Sequence, residues 1–412
     1  MNKEKDLLNK IIAMGTMMTE LKDTDVLMEN ILTEARRLSN CDAGSIYKCE
    51  DGNLLFSYTQ NDTQQKALPP GKKLLYSTFK MPISESSIAG YAAYNGTILN
   101  IPDVYKLDNH KPYSFNPSFD KKTNYRTGSM LTIPMRTAAD KVIGVLQLIN
   151  ALDNTGKIIP FNEEDIPFIR YFANTAAVAL ERADMTRSII LRMISMAEMR
   201  DPKETGAHVN RVGAYSAELY EAWAKKHQIA EAELRHNKDL LRIAAMLHDV
   251  GKVGISDAIL KKPGKLNDEE YDVMKTHPII GARLFGDPNS ELDSMSRVIA
   301  LSHHERWDGR GYPGYINPAN GEPLPGKQLD NGKAMGMAAD EAPLWARIVA
   351  IADVYDALSC RRSYKEPWTQ ENVFEELDRS AGSQFDPELI EIFLAIRDSV
   401  QSIREKYPDL EE

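Results

Sequence analysis

The sequence has few cysteines, no long apolar run and no excess of positive charge. Its three cysteines, Cys41, Cys49 and Cys360, lie in unrelated surroundings, which argues against a disulfide framework or a cysteine-based metal site. No run of about eighteen apolar residues could span a bilayer, and the first residues lack the features of a secretory signal. We therefore expect a cytoplasmic protein that does not enter a membrane.

The charge balance of the chain is acidic. It contains 50 lysines and arginines and 60 aspartates and glutamates, which gives a formal net charge of −10. Because nucleic-acid binding requires a basic surface, we expect no such partner. A small anionic substrate would instead need a local basic pocket. A chain of 412 residues also exceeds what one hydrophobic core usually serves, so we expect more than one domain.

The N-terminal part of the chain mixes helical and strand patterns. Residues 1–22 are expected to form a helix, and residues 23–165 an α+β domain. Apolar residues recur at helical spacing over 25–38, and strand patterns flank a turn at 50–53. Further strands are predicted at 97–101, 129–135 and 142–149, with a helix at 87–94.

The order of these elements, with GSMLTIPM at 128–135 followed by IGVLQLIN at 143–150, resembles a GAF sensory domain over residues 23–184. The alternative is another regulatory module of sheet and helix. A GAF domain implies a small ligand, whose identity the sequence leaves unknown. The cyclic-nucleotide signature of such domains is incomplete, since Asn150, Phe161 and Asp165 match it while Ala151 and Ile166 replace its lysine and glutamate. We therefore do not expect cyclic-nucleotide binding there.

Residues 166–198 are predicted to form one long linker helix. From Ile169 onward, small and apolar residues follow the 3,4 spacing of a two-stranded coiled coil; they are Phe172, Ala176, Ala179, Ala183, Thr186, Ile190, Met193 and Ala197. This pattern predicts a parallel homodimer whose linker carries a signal. The alternative is an amphipathic helix packed on its own domain.

Residues 199–412 are predicted to form an all-α domain. Helical periodicity covers 209–226, 231–247, 268–284, 294–304, 344–358, 369–380 and 387–404. Residues 317–342 are rich in glycine, proline and charge without periodicity, which predicts a long loop.

Five of the seven histidines in this second part lie beside carboxylates and next to apolar segments. They are His208, His248, His277, His303 and His304. Glu204 lies four residues before His208, which places both on one helix face, Asp249 follows His248 directly, and Asp353 follows an apolar run. Polar side chains in such places are costly to bury unless paired or bound to metal. The mixed nitrogen and oxygen set suits two or three divalent ions, Fe or Mn first and Zn as an alternative.

Three segments of this part, HDVGK at 248–252, HHERWDGRGYP at 303–313 and ADVYDAL at 352–358, resemble the HD-GYP phosphodiesterases. The resemblance covers residues 196–400 and implies an all-helical catalytic domain with a binuclear or trinuclear metal centre. The implied metal ligands are Glu204, His208, His248, Asp249, His277, His303, His304 and Asp353. Glu204 would be the extra carboxylate of trinuclear members.

The same resemblance implies the remaining functional roles. Asp249 and Lys252 would be catalytic, Asp249 by bridging two ions and Lys252 by reaching the phosphate. The implied substrate-binding residues are Arg306, Asp308, Gly311, Tyr312, Pro313, Arg362 and Lys365. The implied reaction is hydrolysis of cyclic di-GMP to linear pGpG or onward to GMP.

The chain also departs from the family pattern. Residues 314–343 are longer than usual after the signature, and Arg310, Cys360, Arg361 and Ser363 replace commoner residues. These departures leave open a lid role for the insertion. They also leave open a phosphodiesterase for cyclic GMP-AMP, a general nucleotidase or a non-catalytic dinucleotide-sensing scaffold.

Overall fold

A computed structural model describes residues 14–18, 20–69, 74, 79–198, 206–360 and 368–408. The chain divides into two compact units, Met1–Arg187 and Ser188–Glu412, here called the N-terminal and C-terminal units. Of the predicted helix over 1–22, residues 14–18 and 20 are helical and residues 1–13 lie outside the described part. No helix in the described part is both long and apolar enough to cross a membrane.

The N-terminal unit is built on an antiparallel sheet whose strand order is β3-β2-β1-β6-β5-β4, with β7 paired to β6. The strands are β1 (Cys41–Glu50), β2 (Asn53–Asn61), β3 (Lys80–Pro82), β4 (Leu99–Ile101), β5 (Met130–Arg136), β6 (Val142–Leu152) and β7 (Ile158–Ile159). Asp51 and Gly52 form the β1–β2 turn with positive φ angles of 48° and 75°, which fits a two-residue hairpin loop. The predicted α+β architecture is confirmed.

Helices pack on both faces of this sheet. They are α1 (Thr24–Ser39), α2 (Asp62–Lys66), α3 (Ile88–Asn95), α4 (Ser118–Thr123) and α5 (Ile166–Glu198). Helix α1 begins where the Asp23 carboxylate accepts hydrogen bonds from two backbone N–H groups, and it ends at Asn40 in a left-handed conformation. Ile31 of α1, Ile46 of β1 and Phe172 of α5 are buried together in the main core.

Helix α5 forms as one continuous helix, but its predicted dimer seam is wrong over the first half. Phe172, Ala176 and Ala183 are buried in the core of their own unit, so the alternative of a helix packed on its own domain is confirmed there. Further along, Met193 is exposed, and the side chain of Ala197 lies outside the described part. The predicted seam is wrong there because small residues at 3,4 spacing can pack against a sheet as well as against a second helix.

Another face of α5 is apolar and exposed within the N-terminal unit. Tyr171, Val178 and Met185 are 60%, 46% and 67% exposed, and they recur every seven residues, as coiled-coil contacts do. The homodimer therefore stays a prediction, and these positions replace the first half of the predicted seam as its contact surface.

The described part of the C-terminal unit is helical, with one short hairpin. Its helices are α6 (Gly206–Lys226), α7 (Glu231–Met246), α8 (Asp257–Leu260), α9 (Asp268–Met274), α10 (His277–Leu284), α11 (Glu291–Ser302), α12 (Leu344–Ser359), α13 (Gln370–Arg379), α14 (Pro387–Ala395) and α15 (Arg397–Lys406). Strands β8 (Ile316–Asn317) and β9 (Glu322–Pro323) pair within the predicted loop. The all-α prediction is thus confirmed for the helices but missed this hairpin.

Two predicted helices are each divided in the structure. The segment 268–284 breaks before His277, where Pro278 occupies the start of α10, because proline cannot continue a helix from the preceding turn. The segment 387–404 breaks at Ile396 between α14 and α15. The core of the unit, including Tyr215, Leu241 and Ile351, is buried among α6, α7 and α12.

Candidate metal centre

Seven of the eight predicted metal ligands converge in the C-terminal unit. They form two groups, Asp249 with His277, His303 and His304, and His208 with His248 and Asp353, and within each group the ligand atoms lie within 4.8 Å of one another. The eighth predicted ligand, Glu204, lies outside the described residues. The structure therefore brings together residues spread from position 208 to position 353.

Most of these side chains lie at or next to helix ends. His248 and Asp249 follow the end of α7, His303 and His304 follow α11, and His277 is the first residue of α10. His208 lies in the first turn of α6. Asp353 is the exception, because it lies well inside α12.

Asp249 connects the two groups. Its Oδ1 lies 3.0 Å from Nε2 of His277 and 3.5 Å from Nε2 of His303. Its Oδ2 lies 3.3 Å from Nε2 of His248. In the second group, Asp353 Oδ1 lies 3.7 Å from Nε2 of His208 and 3.9 Å from Nε2 of His248. The two oxygens of Asp249 thus face different groups, which is the placement that a bridging carboxylate needs.

The backbone fixes the orientation of three imidazoles. Nδ1 of His248 donates to the Ala245 carbonyl at 2.8 Å, Nδ1 of His277 donates to the Met274 carbonyl at 2.8 Å, and Nδ1 of His303 faces the Ile299 carbonyl at 3.1 Å. Because a carbonyl can only accept, the proton of each neutral ring lies on Nδ1. The lone pair on Nε2 then points into the cluster, as it does in metal-binding histidines.

The donor atoms in the cluster fit a metal ion. Nε2 of His277, Nε2 of His303 and Oδ1 of Asp249 are buried, and none has a hydrogen-bond partner among the described residues. Leaving such atoms buried without a partner is costly. Since imidazole nitrogen and carboxylate oxygen are ligands for Fe, Mn and Zn, a divalent ion would satisfy them. The number and identity of the ions stay predictions.

Electrostatics in the cluster favour the ligand forms of these groups. Burial lowers the pKa of His303, and burial together with the neighbouring His303 and His277 lowers the pKa of His304 well below its ordinary value. For Asp249, burial alone would raise the pKa, but Lys252 and His248 hold it well below its usual range. Neutral imidazoles and an ionised carboxylate are the forms that bind metal.

Lys252 lies at the edge of this cluster. Its Nζ is 2.7 Å from Oδ2 of Asp249, so the structure places it next to the predicted bridging carboxylate. A cation there is near enough to meet a phosphate that approaches Asp249. Its catalytic role stays a prediction.

Residues 305–313, here called the signature loop, pack over His304. The Tyr312 ring stacks on the His304 ring with centroids 4.7 Å apart. A Cβ on Gly311 would lie 2.4 Å from the backbone nitrogen of Arg306, so only glycine allows this close approach. Arg306 and Asp308 form a two-point ion pair with each other at 3.1 Å and 2.8 Å.

The remaining predicted substrate-binding residues are placed as follows. Pro313 directly follows Tyr312 in this loop, whereas Arg362 and Lys365 lie outside the described residues. For all of these residues, substrate contact stays a prediction.

Two residues near the site escaped the sequence analysis. Glu305 is buried, and its carboxylate accepts the backbone N–H groups of Gly314 and Met337 at 2.5 Å and 3.1 Å. It therefore links Gly314, at the start of the insertion, to Met337 in its later part. Only its position directly after His304 could have drawn attention to it.

Asp356 is the second missed residue. Its Oδ2 lies 2.8 Å from Nδ1 of His208, and Arg211 binds both carboxylate oxygens at 2.6 Å and 2.9 Å. Although burial alone would raise the pKa of Asp356, His208 and Arg211 hold it at about 2. A buried carboxylate on the far nitrogen of a ligand histidine fixes the ring and its tautomer. Asp356 is therefore a positioning residue for His208.

We expect Asp356→Asn to lower metal affinity by roughly 10- to 100-fold. Asparagine can still accept from His208, but it lacks the negative charge that opposes Arg211. Metal affinity would be measured by competition with a chelator, and helix content by circular dichroism. Asp378→Asn, an exposed change on α13, is the matched control. Unchanged metal affinity in Asp356→Asn would show that Asp356 does not position His208.

Comparison with known proteins confirms the predicted domain order. Residues 23–180 match the GAF domain and residues 205–358 match the HD domain. The chain is 37% identical over 226 residues to the 3′3′-cGAMP-specific phosphodiesterase 2 of Vibrio cholerae, covering 55% of this chain and 38% of that protein.

Two further relatives carry a different substrate in their names. The chain is 38% identical over 230 residues to a cyclic di-GMP phosphodiesterase of Vibrio cholerae, covering 54% of this chain and 42% of that protein. It is 37% identical over 222 residues to the cyclic di-GMP phosphodiesterase of Thermotoga maritima, covering 53% of this chain and 52% of that protein. The chain thus spans about half or less of the length of these relatives.

Proposed function

This chain joins an N-terminal GAF domain to an HD domain, and we propose that it is a metal-dependent phosphodiesterase that hydrolyses cyclic di-GMP to linear pGpG or onward to GMP. The observation that carries the proposal is the pair of ligand groups that share Asp249. A carboxylate between two sets of imidazoles would hold two ions side by side, which is what a two-metal hydrolase needs.

The chemistry follows from the resistance of a phosphodiester to attack. Its negative charge repels nucleophiles, and a pair of divalent ions would polarise the phosphate and activate water near neutral pH. Asp249 would hold both ions. Lys252, whose ammonium lies beside Asp249, would neutralise charge that develops on the phosphate. Arg362 and Lys365 would bind the second phosphate. Their side chains would supply the local positive charge that this acidic chain needs.

The signature loop would shape the substrate side of the site. Tyr312 lies flat on His304, so a purine that enters there meets an aromatic face next to the metal ligands. The ion pair of Arg306 with Asp308 stiffens the same loop. Gly311 and Pro313 complete the predicted substrate-binding set.

The experiment that tests the proposal is turnover by the full chain after loading with Fe²⁺ or Mn²⁺. We expect the highest kcat/KM with cyclic di-GMP, compared with 3′3′-cGAMP and cyclic di-AMP. The second candidate is hydrolysis of cyclic GMP-AMP, which the name of one relative favours. A higher kcat/KM for 3′3′-cGAMP would establish that alternative. Binding of a dinucleotide without any turnover would establish a sensing scaffold instead.

The metal content is a proposal of its own, with two or three ions of Fe or Mn in the centre. If Glu204 is the extra carboxylate of a trinuclear site, Glu204→Ala should lower the bound metal from about three ions to about two and slow turnover. Elemental analysis of anaerobically purified protein measures this directly. Two ions in both proteins would refute the trinuclear proposal and leave the phosphodiesterase proposal intact.

We propose that the N-terminal unit regulates the activity of the HD domain. A small ligand in the GAF domain would control the HD domain, and α5 would carry the signal in a homodimer. The exposed stripe of Tyr171, Val178 and Met185 supports a contact between two copies along this helix.

A further inference from the structure

The N-terminal unit contains a cavity that none of the site residues described above uses. Its volume is about 580 Å³, within the range of small-molecule sites. Aromatic rings from separate elements line it, namely Tyr47, Phe56, Phe79, Phe115, Phe119 and Tyr125. A ligand in this cavity would therefore meet ring faces on several sides.

Charge is scarce among the described residues that line this cavity. Asp120 and Lys122 are the charged side chains among its described lining residues. The Asp120 carboxylate already accepts hydrogen bonds from the Tyr105 hydroxyl at 2.8 Å and from the backbone and side chain of Thr127 at 2.7 Å. Lys122 is exposed. The described lining thus offers no buried cation to a phosphate or carboxylate, and an unpaired anion is costly to bury.

Aromatic surface at the cavity is left open to solvent. Phe79 and Phe119 are 45% and 43% exposed although both line the cavity, and Phe79 stacks on Phe56 with ring centroids 4.7 Å apart. A bound ring would cover this surface and extend the stack. Planar aromatic ligands gain both burial and ring contact in such a place.

One polar pair lies deeper in the cavity wall. The Tyr47 hydroxyl donates to Oε1 of Gln147 at 3.3 Å, and Nε2 of Gln147 donates to Thr132 at 3.2 Å. The Tyr47 oxygen can still accept one hydrogen bond, because a phenol both donates and accepts. A ligand with a single N–H or O–H group would match it.

The side chain of Asn150, which matches the cyclic-nucleotide signature, is already hydrogen-bonded within the protein. Its side chain donates to the Tyr125 hydroxyl and to the Arg126 carbonyl, and it accepts the backbone N–H of Gly128. It therefore braces the backbone beside the cavity. This use of Asn150 agrees with the absence of the signature lysine at Ala151.

We propose that the cavity binds an uncharged aromatic molecule that carries one hydrogen-bond donor. Strand β1 connects this site to the linker helix, since Tyr47 lines the cavity while the next residue, Lys48, pairs with Asp184 of α5 at 2.8 Å. Side chains of neighbouring strand residues point to opposite faces. A ligand that moves Tyr47 therefore acts on the strand that holds α5.

Two fluorescent probes with the same ring system test the proposal on the full chain. N-phenyl-1-naphthylamine is neutral and has one N–H group, whereas 1-anilinonaphthalene-8-sulfonate adds a negative charge. We expect the neutral probe to bind at least roughly tenfold more tightly. Cyclic GMP should fail to displace it. Tighter binding of the sulfonate, or displacement by cyclic GMP, would overturn the proposal.

Variants locate the bound probe. Phe119→Lys should weaken binding of the neutral probe and strengthen binding of the sulfonate, because it removes an aromatic face and adds a cation at the cavity. Ala89→Phe should weaken both by filling the cavity. Tyr94→Lys is the matched control, since Tyr94 is 64% exposed and does not line the cavity. Neutral-probe binding that is the same in all three variants would refute the site. No dinucleotide is needed, so the outcome is independent of the phosphodiesterase proposal.

Discussion

Asp249→Ala is expected to abolish hydrolysis of the cyclic dinucleotide and to reduce the bound metal, with helix content close to that of the unchanged protein. Asp249 faces His277 and His303 with one oxygen and His248 with the other, so its loss affects both ligand groups at once. A pair of ions contributes several kcal/mol of transition-state stabilisation. We therefore expect kcat to fall by at least about a thousandfold, which corresponds to roughly 4 kcal/mol.

The control for this experiment is Asp257→Ala. Asp257 lies eight residues further along the chain, is exposed and pairs with Lys261, so its removal should leave turnover and metal content unchanged. Turnover, elemental analysis and circular dichroism would be measured on both proteins. Near-normal turnover in Asp249→Ala would refute the assignment. A loss of helix in that variant would mean that Asp249 is a structural residue.

The sequence predicted most elements of the fold because apolar residues either recur at helical spacing or form short continuous runs. Helix α1 buries Leu27, Ile31 and Ala35 at helical spacing, and strand β6 is an apolar run that is buried over most of its length. The break before α10 was missed although Pro278 was visible, because a proline near a helix start and one inside a helix look alike in sequence. The face on which α5 packs was assigned wrongly because the spacing of small residues does not reveal the partner.

Part of the candidate site could be predicted from the sequence, because its ligands are polar side chains that are costly to bury unless they bind a metal ion. His248 with Asp249, and His303 with His304, stand out as polar pairs after apolar helices. Asp356 was not recognised because its partner His208 lies 148 residues away. A sequence pattern shows that a residue is polar, but it does not show which distant side chain it meets.

Gly251 is another residue whose role only the structure reveals. It belongs to the short 3₁₀ helix Val250–Gly254 that follows Asp249, and this segment packs backbone to backbone against α10. A Cβ at position 251 would lie 2.0 Å from the His277 carbonyl oxygen and 2.3 Å from the Gly281 nitrogen. Backbone atoms cannot rotate away as a side chain can. Any larger residue must therefore push this segment away from α10.

Gly251→Ala is accordingly expected to damage the metal centre without removing a ligand. The displacement would move Asp249, two residues earlier, away from His277, and their present separation is 3.0 Å. Overpacking of this kind costs roughly 1–3 kcal/mol, and we expect a lower unfolding temperature together with reduced bound metal. Since a misplacement of about 1 Å can cost about a hundredfold in rate, kcat should fall by a similar factor.

The matched control is Gly206→Ala at the start of α6, where an added Cβ would meet no atom of the described residues within 4 Å. Because alanine favours a helix over glycine by about 1 kcal/mol, that variant should keep or raise the unfolding temperature. Turnover, elemental analysis and thermal unfolding followed by circular dichroism distinguish the two variants. If Gly251→Ala binds as much metal and turns over as fast as the unchanged protein, the close approach of Val250–Gly254 to α10 does not set the geometry of Asp249 and His277.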